Sequence, residues 1–198
     1  MFQNKFKNLI FFIALTLAAQ QSHAIFVITP SVGYKMQSAK FTDNADNESE
    51  FKASNPVYGL KLGIMSLSGV SFDIAGTYVS GKGKATEAGV ETEKDFKEQT
   101  AAAQLGISTN TFKIYLGYLL MNEAQIKEAG SEVTLKGSGY QAGIALHLTG
   151  SISLGVQYQI DQYNKAKIDT ISSSFEDIKI YYKKVDAQST SATLSYSF

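Results

Sequence analysis

The chain of 198 residues is 44% hydrophobic and 18% charged, with 18 basic side chains against 18 acidic ones, a length suited to a single domain. Every basic residue is Lys and Cys is absent, which excludes guanidinium forks for phosphate, disulfide frameworks, thiol catalysis and a lipid-modified N-terminal Cys. The even charge balance gives no electrostatic footprint for nucleic acid, which is not expected as a partner.

The first element is an export address. Lys5 and Lys7 supply a positive segment, residues 9–19 are apolar, and Ser22-His23-Ala24 is a small-x-small cleavage site. The apolar stretch is shorter than the roughly 20 residues a spanning helix needs. The chain therefore divides into a cleaved signal peptide, 1–24, and a mature domain, 25–198, with a slight acidic excess once Lys5 and Lys7 are gone.

From residue 25 onward the hydrophobic period is 2, the period of a strand. Eight alternating runs are predicted, near 26–36, 57–65, 69–79, 98–107, 111–120, 138–148, 152–162 and 188–198, bounded by Gly, Ser, Asn and charge-rich breaks. One face is bulky and uncharged, for example Ile28, Leu62, Ile74, Leu116, Ile144 and Leu194. The other is rich in Gly and Ala and carries the charges Lys35, Lys61, Asp73, Glu98, Lys113 and Asp161, with several Gln and His147.

Alternation alone does not say which face is outside, since a soluble barrel hides its bulky face. Connections are alternately short (Ser66 to Ser68, Ser108 to Asn110, Thr149 to Ser151) and long (37–56, 80–97, 121–137, 163–187), the asymmetry of an outer-membrane barrel. Tyr34, Tyr58, Tyr78, Tyr118, Tyr140 and Tyr158 fall toward the long-connection end, and Phe26, Phe72, Phe112, Tyr196 and Phe198 toward the other. Two such bands suit the two membrane interfaces.

Tyr196 and Phe198 at alternate spacing resemble the C-terminal assembly signal of bacterial outer-membrane barrels, with Thr193 where that pattern usually has Gly. With the signal segment and loop asymmetry, the whole of 25–198 resembles the small eight-stranded barrels of the OmpX and OmpA transmembrane-domain class. The resemblance implies an all-β, antiparallel up-and-down transmembrane barrel in the outer membrane, with short periplasmic turns and long extracellular loops. It also implies lipid and lipopolysaccharide as surroundings, the barrel-assembly machinery as a partner of the C-terminal strand, and a monomer. No cofactor is expected.

Eight strands leave an interior that side chains fill, so a continuous pore is not expected. The six inner charges sum to zero. If Met65 and Gly69 close the first short turn, Lys61 faces Asp73 as an internal ion pair. His147-Leu148-Thr149 departs from the His-x-Ser arrangement of small-barrel lipid A deacylases, with its His on the inner face and at the periplasmic end, so no catalytic residues are assigned. The oxygen-rich segment 43–50 lacks EF-hand spacing and reads as a mobile loop, not a metal site, and Gly81-Lys82-Gly83-Lys84 lacks the spacing of a phosphate loop.

In the fourth long connection, even-numbered apolar residues continue through Ile168 and again through Ile178, Ile180 and Tyr182 around Ser172-Ser173-Ser174. A hairpin protruding beyond the bilayer is expected there, whose exposed edge either captures a partner by strand addition or only stiffens the loop. The expected role is structural or interactive, through the surface loops. Alternatives are a lipid-modifying enzyme, a narrow OmpW-like carrier for small apolar solutes, and a soluble ligand-binding barrel.

Overall fold

The computed structural model describes residues 25–87, 89–128, 131–169 and 174–198. The expected signal segment, 1–24, and Ser172 and Ser173 of the fourth connection lie outside the described residues. Strands take up most of the rest: β1 Ile25–Asp43, β2 Glu48–Met65, β3 Val70–Glu87, β4 Val90–Ser108, β5 Phe112–Glu128, β6 Ser131–His147, β7 Ile152–Ile168, the two-residue β8 Glu176–Asp177, and β9 Tyr182–Tyr196. A 3-10 turn, Ile178–Ile180, sits between β8 and β9, its start capped by the Asp177 carboxylate accepting from Lys179 N–H.

Each strand from β1 to β7 is antiparallel to the next, and β9 pairs with both β7 and β1, closing an eight-stranded barrel. Closure leaves the ring without a free edge, the condition for strands in hydrocarbon, where no water can satisfy an unpaired peptide group.

The three short turns share one device. Ser66, Thr109 and Thr149 each open a turn and accept backbone N–H groups on their hydroxyls, from Val70, from Thr111 and Phe112, and from Ser151 and Ile152. This local bonding favours a turn over continued strand. In the first of them Gly69 takes φ +84°, a conformation only Gly adopts cheaply. Gly69 thus belongs to the turn, Met65 pairs with Ser71, and Asp73 faces Gly63 while Lys61 faces Ala75. The expected Lys61–Asp73 cross-strand register is corrected by two residues.

The bulky face points outward. Leu62 is 43% exposed and Ile144 44%, in a belt that continues through Leu60, Ile74, Leu116, Val156 and Leu194. A continuous apolar band of this kind on a closed barrel is lipid-facing surface. The tyrosines line up across strands at its upper rim, Tyr58 opposite Tyr78 and Tyr118 opposite Tyr140, the last two with ring centroids 5.4 Å apart.

Above that rim the long connections are not free loops. The β1–β2 ladder runs to Thr42–Glu48, β3–β4 to Glu87–Val90 and β5–β6 to Glu128–Ser131. The segment expected to be a mobile loop, 43–50, is a paired hairpin end whose turn is tied by the Asp43 carboxylate accepting from Ala45 and Asn47 N–H and from the Asn47 amide. Those bonds, the Asn47 side chain's first, hold the Asp43 carboxyl below its ordinary range. The physical reason for the difference is that polarity inverts at the rim. Lys52, Lys82 and Lys84 point out and are exposed, while Phe41, Phe51, Phe96, Leu135 and Ile178 point in and form a buried cluster. Above the membrane the barrel is built as a water-soluble one.

Two bulges change which parity faces inward. In β5, Leu120 and Met121 both face outward, so the inner face passes from Leu119 to Asn122. Between β6 and β7 the register shifts at Gly137–Tyr163, and Ala166 turns inward, fully buried. The even-parity reading of the fourth connection is corrected accordingly: Ile178 is buried in the cluster and Ile180 is exposed. β7 and β9 pair only from Ile152–Tyr196 to Asp161–Ala187. Beyond that point β9 pairs with β1 alone among the described residues, and β8 with the 3-10 turn occupies the gap.

Candidate functional site: the barrel interior

The inner-facing positions of the lower half place their side chains in a lumen sealed by the apolar cluster at the long-hairpin end. Two polar layers lie beneath that plug. In the upper layer Lys35 Nζ donates to both oxygens of Glu98 at 2.8 Å. Gln159 Nε2 donates to Glu98 Oε1 at 3.4 Å and to Asp161 Oδ1 at 2.6 Å, and Asn122 Nδ2 donates to that same Asp161 oxygen at 2.6 Å. Lys35, Glu98 and Asp161 are all buried, and these bonds replace part of the water each charge has lost, although Asp161 Oδ2 has no partner among the described residues.

The lower layer is built on a different pair. Lys113 Nζ donates to Asp73 Oδ2 at 2.7 Å, spanning the lumen from β5 to β3. Lys61 has no carboxylate at ion-pair distance among the described residues. Its ammonium lies 4.6 Å from the centroid of the Tyr115 ring, a cation–π contact. The Tyr115 hydroxyl in turn donates to Gln157 Oε1 at 3.0 Å.

His147 is held between two hydroxyls, Ser108 Oγ at 3.2 Å from Nε2 and Ser153 Oγ at 2.7 Å from Nδ1. No carboxylate orients the ring in the described hydrogen bonds, so it lacks the third member of a nucleophile–base–acid arrangement. Around it opens a chamber of about 550 Å³ at the short-turn end, lined by Lys61, Asp73, Lys113, His147 and several hydroxyls. A much smaller void of about 20 Å³, lined by Lys61, Thr100, Gln104, Gln141 and Gln157, separates this chamber from the Glu98 layer.

Of the six inner charges, the structure thus brings Lys35, Glu98 and Asp161 together in one layer and Asp73, Lys113 and Lys61 in the other. Tyr115 and Asn122 are lumen residues that the sequence did not single out. Tyr115 had a signal: it is an odd-numbered bulky residue in strand 5, and its cross-strand partner is Gly143. Asn122 had none, because the bulge before it changes the parity. At the chain's C-terminal end, Tyr196 and Phe198 stack edge to face with centroids 4.7 Å apart, and Phe198 N–H donates to Ile28 O.

A profile of the outer membrane protein beta-barrel domain matches residues 9–198. The chain belongs to that family. The barrel is accordingly an outer-membrane protein, its belt facing lipid. Solved structures share the fold. Ail of Yersinia pestis, in complex with the heparin analogue sucrose octasulfate, is 14% identical, with 87% of this chain and 99% of that one covered and a TM-score of 0.54. OprG of Pseudomonas aeruginosa is 13% identical over 89% of this chain and 97% of its own, TM-score 0.54. Neisserial surface protein A is 19% identical over 89% and 100%, TM-score 0.50. Among curated proteins none matches the chain.

Proposed function

We propose that the protein works at the cell surface as a closed barrel that presents its extracellular hairpins, and does not carry solutes or perform catalysis. The observation that carries this reading is the plug: Phe51 and Phe96 pack with centroids 5.3 Å apart across the upper lumen, with Leu135 and Ile178 beside them. A lumen closed by apolar side chains at its outer end offers no hydrated route, while the same residues stiffen the hairpins above the membrane. Several external charges are engaged in ion pairs such as Lys84–Glu91 and Lys183–Asp46. The place best suited to a partner is the outer rim at the β7–β9 gap, where among the described residues the 182–186 stretch of β9 has β1 as its only strand partner and the gap is covered by β8 and the 3-10 turn, so an extended peptide would add there by displacing that cover.

Purified full-length barrel in planar bilayers is expected to show no stable conductance, and an impermeant amine reagent on intact cells should label Lys84 and Lys183 but spare Lys61 and Lys113. Steady conductance steps, or the opposite labelling pattern, would sink this reading and favour the narrow carrier.

A further inference from the structure

We propose that the periplasm-facing chamber is a blind binding site for a phosphate group, with Lys61 as its principal ligand. Three features of the chamber point the same way.

The first is its charge. Two side-chain ammoniums, Lys61 and Lys113, share the cavity with a single side-chain carboxylate, Asp73, which Lys113 engages at 2.7 Å; Ile25 and Phe198 also line its mouth. Glu98 and Asp161 do not compensate Lys61, because they belong to the upper layer, where Lys35 and two side-chain amides already hold them. Lys61 is left with the face of Tyr115, which is a partner for a cation but not a counter-charge. A positive charge in a recess with low-dielectric walls focuses its field on the opening and draws anions to it.

The second is the wall. Ser108 and Ser153 flank His147 and Ser197 pairs with the Thr29 hydroxyl, bonds whose protons can turn to a ligand, whereas Ser71 donates to Asp73 and Ser195 to Ser153 O; all line the same cavity. Hydroxyls and an ammonium arranged around one space suit a ligand with several acceptor oxygens on a single centre. A carboxylate, with two oxygens in one plane, uses fewer of them. Asp73 adds a bias: a hydrogen phosphate carries an O–H that its free oxygen can accept, whereas sulfate at neutral pH has none.

The third is the shape. At about 550 Å³ the chamber exceeds what a phosphate alone fills and leaves room for a small group attached to it. Past Lys61, which lines both, the next space is a separate void of about 20 Å³, where Gln141 Nε2 and Gln104 Oε1 have no protein hydrogen-bond partner among the described residues. The chamber holds a ligand and does not pass it on. This site is independent of the surface reading above, since it opens to the other side of the membrane.

The test uses the full barrel in detergent micelles at low ionic strength, titrated with inorganic phosphate and followed by calorimetry and by amide resonances. Saturable one-to-one binding is expected, with resonance shifts confined to the chamber wall, around Lys61, Ser108, His147 and Ser153. Lys61→Gln should weaken binding at least tenfold, while Lys184→Gln on the outer surface leaves it unchanged. Retained heat-dependent gel mobility would show that the Lys61→Gln barrel still folds. Should that variant not fold, the wild-type resonance map decides alone. Competition by glycerol 3-phosphate would identify a phospholipid-headgroup source, and its absence free phosphate. Absence of saturable binding, equal affinity in folded Lys61→Gln, or shifts confined to the extracellular lysines would overturn the proposal.

Discussion

Tyr115 and Gly143 occupy one volume. They are cross-strand partners on β5 and β6, and a Cβ added to Gly143 would come 2.4 Å from the Tyr115 hydroxyl and ring. Tyr115 is 4% exposed and cannot simply swing into open space. Gly143→Ala should therefore push the ring off Lys61, break its hydrogen bond to Gln157 and destabilise the barrel by about 1–3 kcal/mol, the usual range for overpacking a filled interior. Gly150 lies in a short turn with nothing within 4 Å of an added Cβ, so Gly150→Ala is the matched control, with an effect within about 0.5 kcal/mol. Urea unfolding in lipid vesicles reads both. Equal midpoints for the two variants would mean that the inner face is looser than this packing describes.

At the scale of the strand, each long strand is two segments with opposite polarity rules joined at the tyrosine rim. Below it, burial belongs to Lys35 and Asp73. Above it, burial belongs to Phe51 and Phe96. Phe96 is 1% exposed in the plug, so Phe96→Ala should cost about 3–5 kcal/mol, as for a large aromatic removed from a packed core. Leu116→Ala, on the lipid face at 67% exposure, should cost much less, because Leu116 has few protein neighbours to lose. A ratio near one between the two in the same unfolding assay would remove the plug from the stability argument.

The same inversion explains what the sequence made legible. Ile28, Leu62 and Ile144 alternate with Gly and small polar residues, so the lower strands could be placed to within a residue or two. From Lys40 to Lys52 and from Lys82 to Lys97 the alternation continues with charge on the outer face, and that pattern looks like loop when bulky-out is the template. Inner positions of all six charges could be read from parity, but their partners could not. Lys113 reaches Asp73 across the lumen from a non-adjacent strand, which depends on barrel stagger, and the Gly69 turn moved Lys61 off Asp73. The bulge at Leu120 and Met121 is likewise invisible to periodicity, since both residues are apolar on a face that is apolar throughout.

At the scale of the whole molecule, the barrel is a stack: a chamber of about 550 Å³ at the short-turn mouth, a buried Lys35–Glu98–Asp161 layer, an apolar plug, and paired hairpins beyond the belt. The outer surface has a matching stack of aromatic, aliphatic and tyrosine bands followed by charge, and the height at which it turns from lipid to water is set by one short piece of β2. Leu62, Leu60 and Tyr58 face outward there, then Pro56, Ser54 and Lys52, all on the same side of the strand and all exposed. With a rise of about 3.3 Å per residue, Lys52 lies about 33 Å along the strand from Leu62. Tilts near 40° are usual for such strands, so the two differ in height by most of a hydrocarbon thickness of about 30 Å. Nitroxides placed at Leu62 and at Ile144 should collide with oxygen dissolved in lipid. One at Lys52 should collide with a water-soluble relaxant, although its side chain has the same parity as Leu62, and the changeover should fall between Tyr58 and Ser54. If Lys52 reported oxygen, the upper hairpins would be membrane-embedded and the inverted polarity of the plug would lose its explanation. If Leu62 reported the aqueous relaxant, the belt would not face lipid at all.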